Sequence, residues 1–131
     1  MKTQTKLLFI RIAGVLSVIF ALFHTAFYWI FKWAQDLNTL NPANKAILLT
    51  FNIIVILLLL YSVVLSFGYT QQLIQTTIGK SLLLFFSGFY MARIVCEFVY
   101  FGFRMPASIM VFAICLLPAI CFGLPAFFKS K

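Results

Sequence analysis

Acidic residues are almost missing from this chain. Among 131 residues there are two, Asp36 and Glu97, against ten Lys and Arg. Charged residues of both signs make up 9%, where ordinary soluble domains carry about 25%. So few charges cannot cover a surface in water, and a soluble-domain function is excluded. No polar segment is long enough to build a separate core, which leaves room for one domain. There is one histidine, His24, and three cysteines, Cys96, Cys115 and Cys121, without C-x-x-C spacing. A zinc or disulfide framework needs more than this, so the thiols read as small apolar filler. Haem held by two histidines lacks its second ligand. Ser17 stands seven residues before His24, about two helical turns away and out of reach. No nucleophile-elbow motif surrounds any serine. Internal repeats and low-complexity segments are missing too. No cofactor, metal or catalytic residue is expected.

What is present is apolar surface. The chain is 64% hydrophobic with a mean hydropathy of +1.10, so its expected solvent is the lipid bilayer. The formal net charge of +8 does not indicate nucleic acid. The cations stand at the ends of apolar runs, as the flanks of membrane spans require, with some attraction to anionic headgroups.

Four runs, at about residues 8–31, 46–67, 81–103 and 107–128, are each about 20 residues or longer. At 1.5 Å per residue that length crosses ~30 Å of hydrocarbon. The predicted fold class is all-α: a transmembrane bundle of four antiparallel helices in one domain. The first run is too long for a signal-peptide core and ends in Tyr28, Trp29, Phe31 and Trp33, not in a small-residue cleavage site. It reads as a retained span with an aromatic belt.

Asn41-Pro42 predicts a helix start, with Asn as N-cap and Pro at the first helical position. Gly68 predicts a stop. In the Gln- and Thr-rich connection at 69–80, Leu73, Ile74 and Ile78 are available to lie against the headgroups. Arg104-Met105-Pro106 reads as a tight turn, and Pro118 predicts a kink near Leu117.

The end bearing Lys2, Lys6, Arg11, Lys80, Lys129 and Lys131 carries six cations; the end bearing Lys32, Lys45 and Arg104 carries three. That split predicts cytoplasmic termini.

Polar groups inside the runs are the functional candidates. Phe86, Tyr90, Arg93, Glu97, Tyr100 and Arg104 recur at intervals of four and three, one stripe of a helix. Such a stripe must face protein or water. Arg93 and Glu97 can pair at i, i+4, with Tyr90 and Tyr100 adding hydroxyls on either side. Glu97, His24 and Asn52 lie six, seven and six residues from the outer ends of their runs, all ~9–10 Å deep at 1.5 Å per residue. They can form one layer if their faces converge, with Arg93 a turn deeper. The candidate cluster is therefore His24, Asn52, Tyr90, Arg93, Glu97 and Tyr100. One reading makes it helix–helix glue. The other makes it an outward-opening site for protons or a headgroup. Near the His24 face, Gly14, Ser17 and Ala21 allow close helix approach, inside the bundle or in a dimer.

The segments FALFHTAFYWIFKW, DLNTLNPANKAILLTFNI and IGKSLLLFFSGFYMARIVCEFVYFG resemble a group of small bacterial four-helix membrane proteins of unknown function. The resemblance spans most of the chain; it implies a bacterial inner-membrane protein and no activity. Small multidrug-resistance transporters share the size but depend on a Glu in the first helix, where this chain has His24. The glutathione-using membrane enzymes of the eicosanoid family carry an Arg/Asn/Glu-rich second helix, where this chain has Asn52 alone. ARIVCEFVYFGFR resembles their Arg- and Tyr-containing helix.

The leading expectation is a non-enzymatic membrane protein, an accessory subunit of a membrane assembly, with a second copy or another membrane subunit as partner. The alternative is a carrier or membrane enzyme using His24, Asn52, Arg93 and Glu97.

Overall fold

A computed structural model describes residues 1–103 and 106–128. The expected turn residues Arg104 and Met105 and the C-terminal cations Lys129 and Lys131 lie outside the described residues.

The chain is an all-α bundle, with no strand among the described residues. Helix α1 covers Thr3–Thr25. Two single-turn helices follow, α2 at Phe27–Ile30 and α3 at Trp33–Asp36, and then a 3₁₀ turn at Leu37–Thr39. Helix α4 covers Pro42–Gly68, α5 Thr70–Gln75, α6 Thr77–Tyr100 and α7 Ala107–Phe127. The four helices α1, α4, α6 and α7 are long and apolar enough to cross a membrane, which supports a multi-pass membrane protein.

Local chemistry sets the boundaries. Asn41 accepts a hydrogen bond from the Asn44 backbone N–H at 2.8 Å, and Pro42 follows as the first helical residue. That satisfies a donor with no partner in the first turn. Thr76 caps α6 in the same way, accepting from Gly79 N–H at 2.9 Å. The first span departs from its expected bounds. It begins at Thr3, five residues early, and its regular helix breaks at Ala26. The helical path resumes through α2 to Phe31 and stops at Lys32, whose φ of 51° is left-handed. Helix α7 continues through Pro118 and Pro125, both buried.

Helices α6 and α7 pack closely, as do α1 and α4, and α1 also lies against α7. Ile10, Ala13, Leu83, Phe86, Tyr90 and Phe122 are at the centre. Ala13, Gly14, Ser17 and Ala21 are all buried, so the small residues of α1 serve internal packing. A Cβ on Gly14 would lie 2.7 Å from the Ser66 Cβ, and only glycine permits that approach of α1 to α4.

The connection before α6 corrects one expectation. Leu73 and Ile74 do not lie against headgroups. Both are buried, because α5 folds back against α1 and α6 and turns them into the core. A Cβ on Gly79 would come within 2.5 Å of the Leu73 Cα, so Gly79 makes that return possible. Ile78 stays exposed.

Candidate functional site

The candidate residues occupy three separate places. The first joins α1 to α4. His24 Nδ1 and Asn52 Oδ1 are 3.0 Å apart, and Asn52 Nδ2 donates to the His24 carbonyl at 3.1 Å. The second bond fixes the amide orientation, so Oδ1 faces the ring. In the neutral imidazole the proton therefore sits on Nδ1, and Nε2 carries the lone pair.

The second place joins α6 to α7. Arg93 Nη1 donates to Glu97 Oε2 at 2.9 Å, and Ser108 Oγ donates to Oε1 at 2.6 Å. Glu97 is 5% exposed. The Arg93 side chain is 39% exposed, and its guanidinium stands 5.1 Å from the centre of the Phe101 ring. Both carboxylate oxygens are thus bonded by donors within the protein, one of them charged.

The third place joins α1 to α6. The Tyr90 hydroxyl bonds Ser17 Oγ at 2.9 Å, both buried, while the Phe20 ring meets the Tyr90 ring edge-on at 5.4 Å. Tyr90 therefore points to Ser17 and adds no hydroxyl to the Arg93–Glu97 pair.

Among the described residues, no hydrogen bond or ion pair links Glu97 to His24 or Asn52. Equal depth does not join them because their helices pair differently: α6 takes α7 as its main neighbour, and α1 takes α4. Tyr100 is 78% exposed at the last residue of α6. Three residues past Glu97, it is turned roughly 60° away around the helix.

Sequence reasoning missed three partners. Ser108 had a legible signal, since a hairpin folding about residue 102 sets it opposite Glu97. Lys6 read as a cytoplasmic flank, yet it is 1% exposed and donates to the Phe128 carbonyl at the end of α7. Carbonyls at a helix C-terminus attract a cation. Ser87 Oγ donates to the Ala119 carbonyl at 2.8 Å, a further tie between α6 and α7. Neither Lys6 nor Ser87 carries a spacing signal that names its acceptor.

Beside His24 and Asn52 an open groove of about 410 Å³ lies between α4 and the stretch from the end of α1 through α2 and α3. Its walls include Phe27, Trp33, Ile47, Leu48 and Phe51. The three cysteines are free thiols, with Cys115 and Cys121 buried. No group of three or more His, Cys, Asp or Glu able to hold a metal occurs among the described residues. Comparison with family models, curated proteins and solved structures finds no match.

Proposed function

We propose that the chain is a small non-enzymatic integral membrane protein and an accessory subunit of a bacterial inner-membrane assembly. It crosses the membrane four times in antiparallel order, with both termini cytoplasmic. One observation carries this reading: Lys6, His24 and Glu97 each bond a group on another segment, and Arg93 closes on Glu97. Ionisable groups used this way fix helix pairing and register. Charge neutralised inside the bundle is not positioned to act on a substrate.

The outward surface supports a role through contact. Ile47, Phe51, Ile54, Leu57, Tyr61 and Val64 form an exposed apolar row along α4 at helical spacing. Such a row suits lipid or the helix of a neighbouring membrane subunit.

The test is native mass spectrometry from mild detergent at natural expression levels, for the wild type and for Arg93→Met/Glu97→Met. The reading expects a stoichiometric complex with another membrane protein that survives the double replacement. A double variant that folds and assembles but no longer supports the cell would make the pair a working site and overturn it.

A further inference from the structure

One ring or amide atom of the His24–Asn52 pair stays open. His24 Nδ1 is held by Asn52, and no described group bonds Nε2. Nε2 is also not a buried orphan; Ser66 Oγ alone has that status among the described residues. Nε2 is therefore an accessible acceptor on a residue that lines this groove. The groove's about 410 Å³ falls within the ~300–1,000 Å³ of small-molecule sites.

The lining narrows the occupant. Besides His24, the polar residues are Asn44 and Asn52; among the described residues no Lys, Arg, Asp or Glu lines the groove. A phosphate or carboxylate would find no counter-charge there. Phe27, Trp33 and Phe51 offer ring surface, and the Phe27 ring lies 4.2 Å from the His24 ring at 31°. Ile47, Leu48 and Val55 supply aliphatic wall. An aromatic ring gains from offset or edge contacts with such neighbours. The groove sits beside the aromatic belt of Tyr28, Trp29 and Trp33, and it is open on one side.

We propose that this groove binds a neutral, bilayer-soluble compound with a ring hydroxyl, of the phenol or hydroquinone class, whose O–H donates to His24 Nε2. The alkyl or isoprenoid tail leaves along α4 into lipid. Binding is without chemistry, in keeping with a non-enzymatic protein. The orientation of Asn52 sets the selectivity: Nε2 accepts and has no proton to give, so a hydroquinone fits and its quinone, which only accepts, does not.

His24 is the sole histidine, so ring-¹⁵N labelling gives one imidazole to observe. The full chain in phosphatidylcholine nanodiscs is titrated anaerobically with decyl-benzoquinol and, separately, with decyl-benzoquinone. The expected result is an unprotonated Nε2 before addition and a saturable upfield shift with the quinol. The quinone should bind about tenfold more weakly, the scale of one lost hydrogen bond. Ile47→Trp and Leu48→Trp, each filling the groove from an exposed position, should abolish the shift while leaving Nδ1 protonated.

Equal shifts with quinol and quinone, a non-saturating response, or a shift that persists in both filled variants would overturn the proposal. So would an Nε2 that already carries a proton. A change produced by phosphatidylglycerol alone would assign the groove to a headgroup hydroxyl, and one that tracks protein concentration would assign it to a second copy. Either result also refutes the proposal.

Discussion

Ser108 donates to Glu97 across 2.6 Å, eleven residues apart in the chain and on facing helices. This bond and the Arg93 bond hold the two oxygens of one buried carboxylate, and they do so asymmetrically. Arg93 is partly exposed and touches the Phe101 ring, so it can turn toward the interface. Glu97 cannot.

That asymmetry orders the stability of four variants. Arg93→Met should be the most damaging, because it leaves a buried carboxylate with one neutral donor; breaking a buried pair on one side costs ~3–5 kcal/mol in soluble proteins. In a bilayer the figure is smaller, since water defects and snorkelling relieve it. Ser108→Ala should cost about 1–3 kcal/mol, the penalty of one unsatisfied buried acceptor. Glu97→Gln keeps an acceptor for Ser108 and should cost less than Arg93→Met. Arg93→Met/Glu97→Met should recover most of the loss. Thermal unfolding in detergent checks the order, and a double variant worse than either single would refute the pairing argument.

Gly14 and Gly88 make a matched pair of helix glycines. A Cβ on Gly14 would meet Ser66 at 2.7 Å and the Phe67 ring at 2.9 Å, whereas one on Gly88 meets nothing within 4 Å. Gly14→Ala should therefore destabilise by about 1–3 kcal/mol through overpacking, with Ser66→Gly restoring part of it. Gly88→Ala should be neutral or stabilising by up to ~1 kcal/mol, because alanine is the better helix former. Unfolding midpoints for the three variants decide the point. Equal effects at both glycines would mean that α1 does not approach α4 so closely.

Periodicity and length made the four long helices legible, and the Asn41-Pro42 start was legible from capping chemistry. The Arg93–Glu97 contact was legible because i, i+4 spacing fixes it within one helix. The partition of the polar groups was not. Depth along each span can be counted from residues, but the direction a side chain faces depends on which helices become neighbours. Hydropathy does not encode that choice, since lipid and protein neighbours are equally apolar. The His24–Asn52 bond needed α1 beside α4, and the Glu97–Ser108 bond needed α6 beside α7. The partner of Lys6 was hidden for a related reason: a cation near a helix start usually serves the headgroups, and its carbonyl comes from the end of α7, far away in the chain.

The sidedness of the Lys and Arg flanks predicts a cytoplasmic N-terminus. In a background with Cys96, Cys115 and Cys121 replaced by alanine, Lys2→Cys should react with an impermeant maleimide only after the membrane is opened. Asn38→Cys, exposed in the first connection, should react in intact cells. The reverse pattern would refute the orientation.

The His24–Asn52 pair sets both the fit of α1 against α4 and the tautomer of the ring. Asn52 both accepts from the ring and donates to the His24 carbonyl. Asn52→Leu removes both bonds and leaves the Nδ1 side of the His24 ring without a partner, which should cost about 1–3 kcal/mol. His24→Phe leaves the Asn52 amide still bonded to the residue-24 carbonyl and loses only one bond, about 0.5–1.5 kcal/mol. The tautomer should respond as well. Without Asn52, nothing fixes the ring proton on Nδ1, and the single histidine should show a mixture of Nδ1–H and Nε2–H forms. Thermal unfolding reads the first effect and ring-¹⁵N spectra the second. Both effects follow from the bond itself, whether or not a ligand uses Nε2. A ring that keeps Nδ1 protonated in Asn52→Leu would show that another group sets the tautomer, and the selectivity argued for the groove would lose its basis.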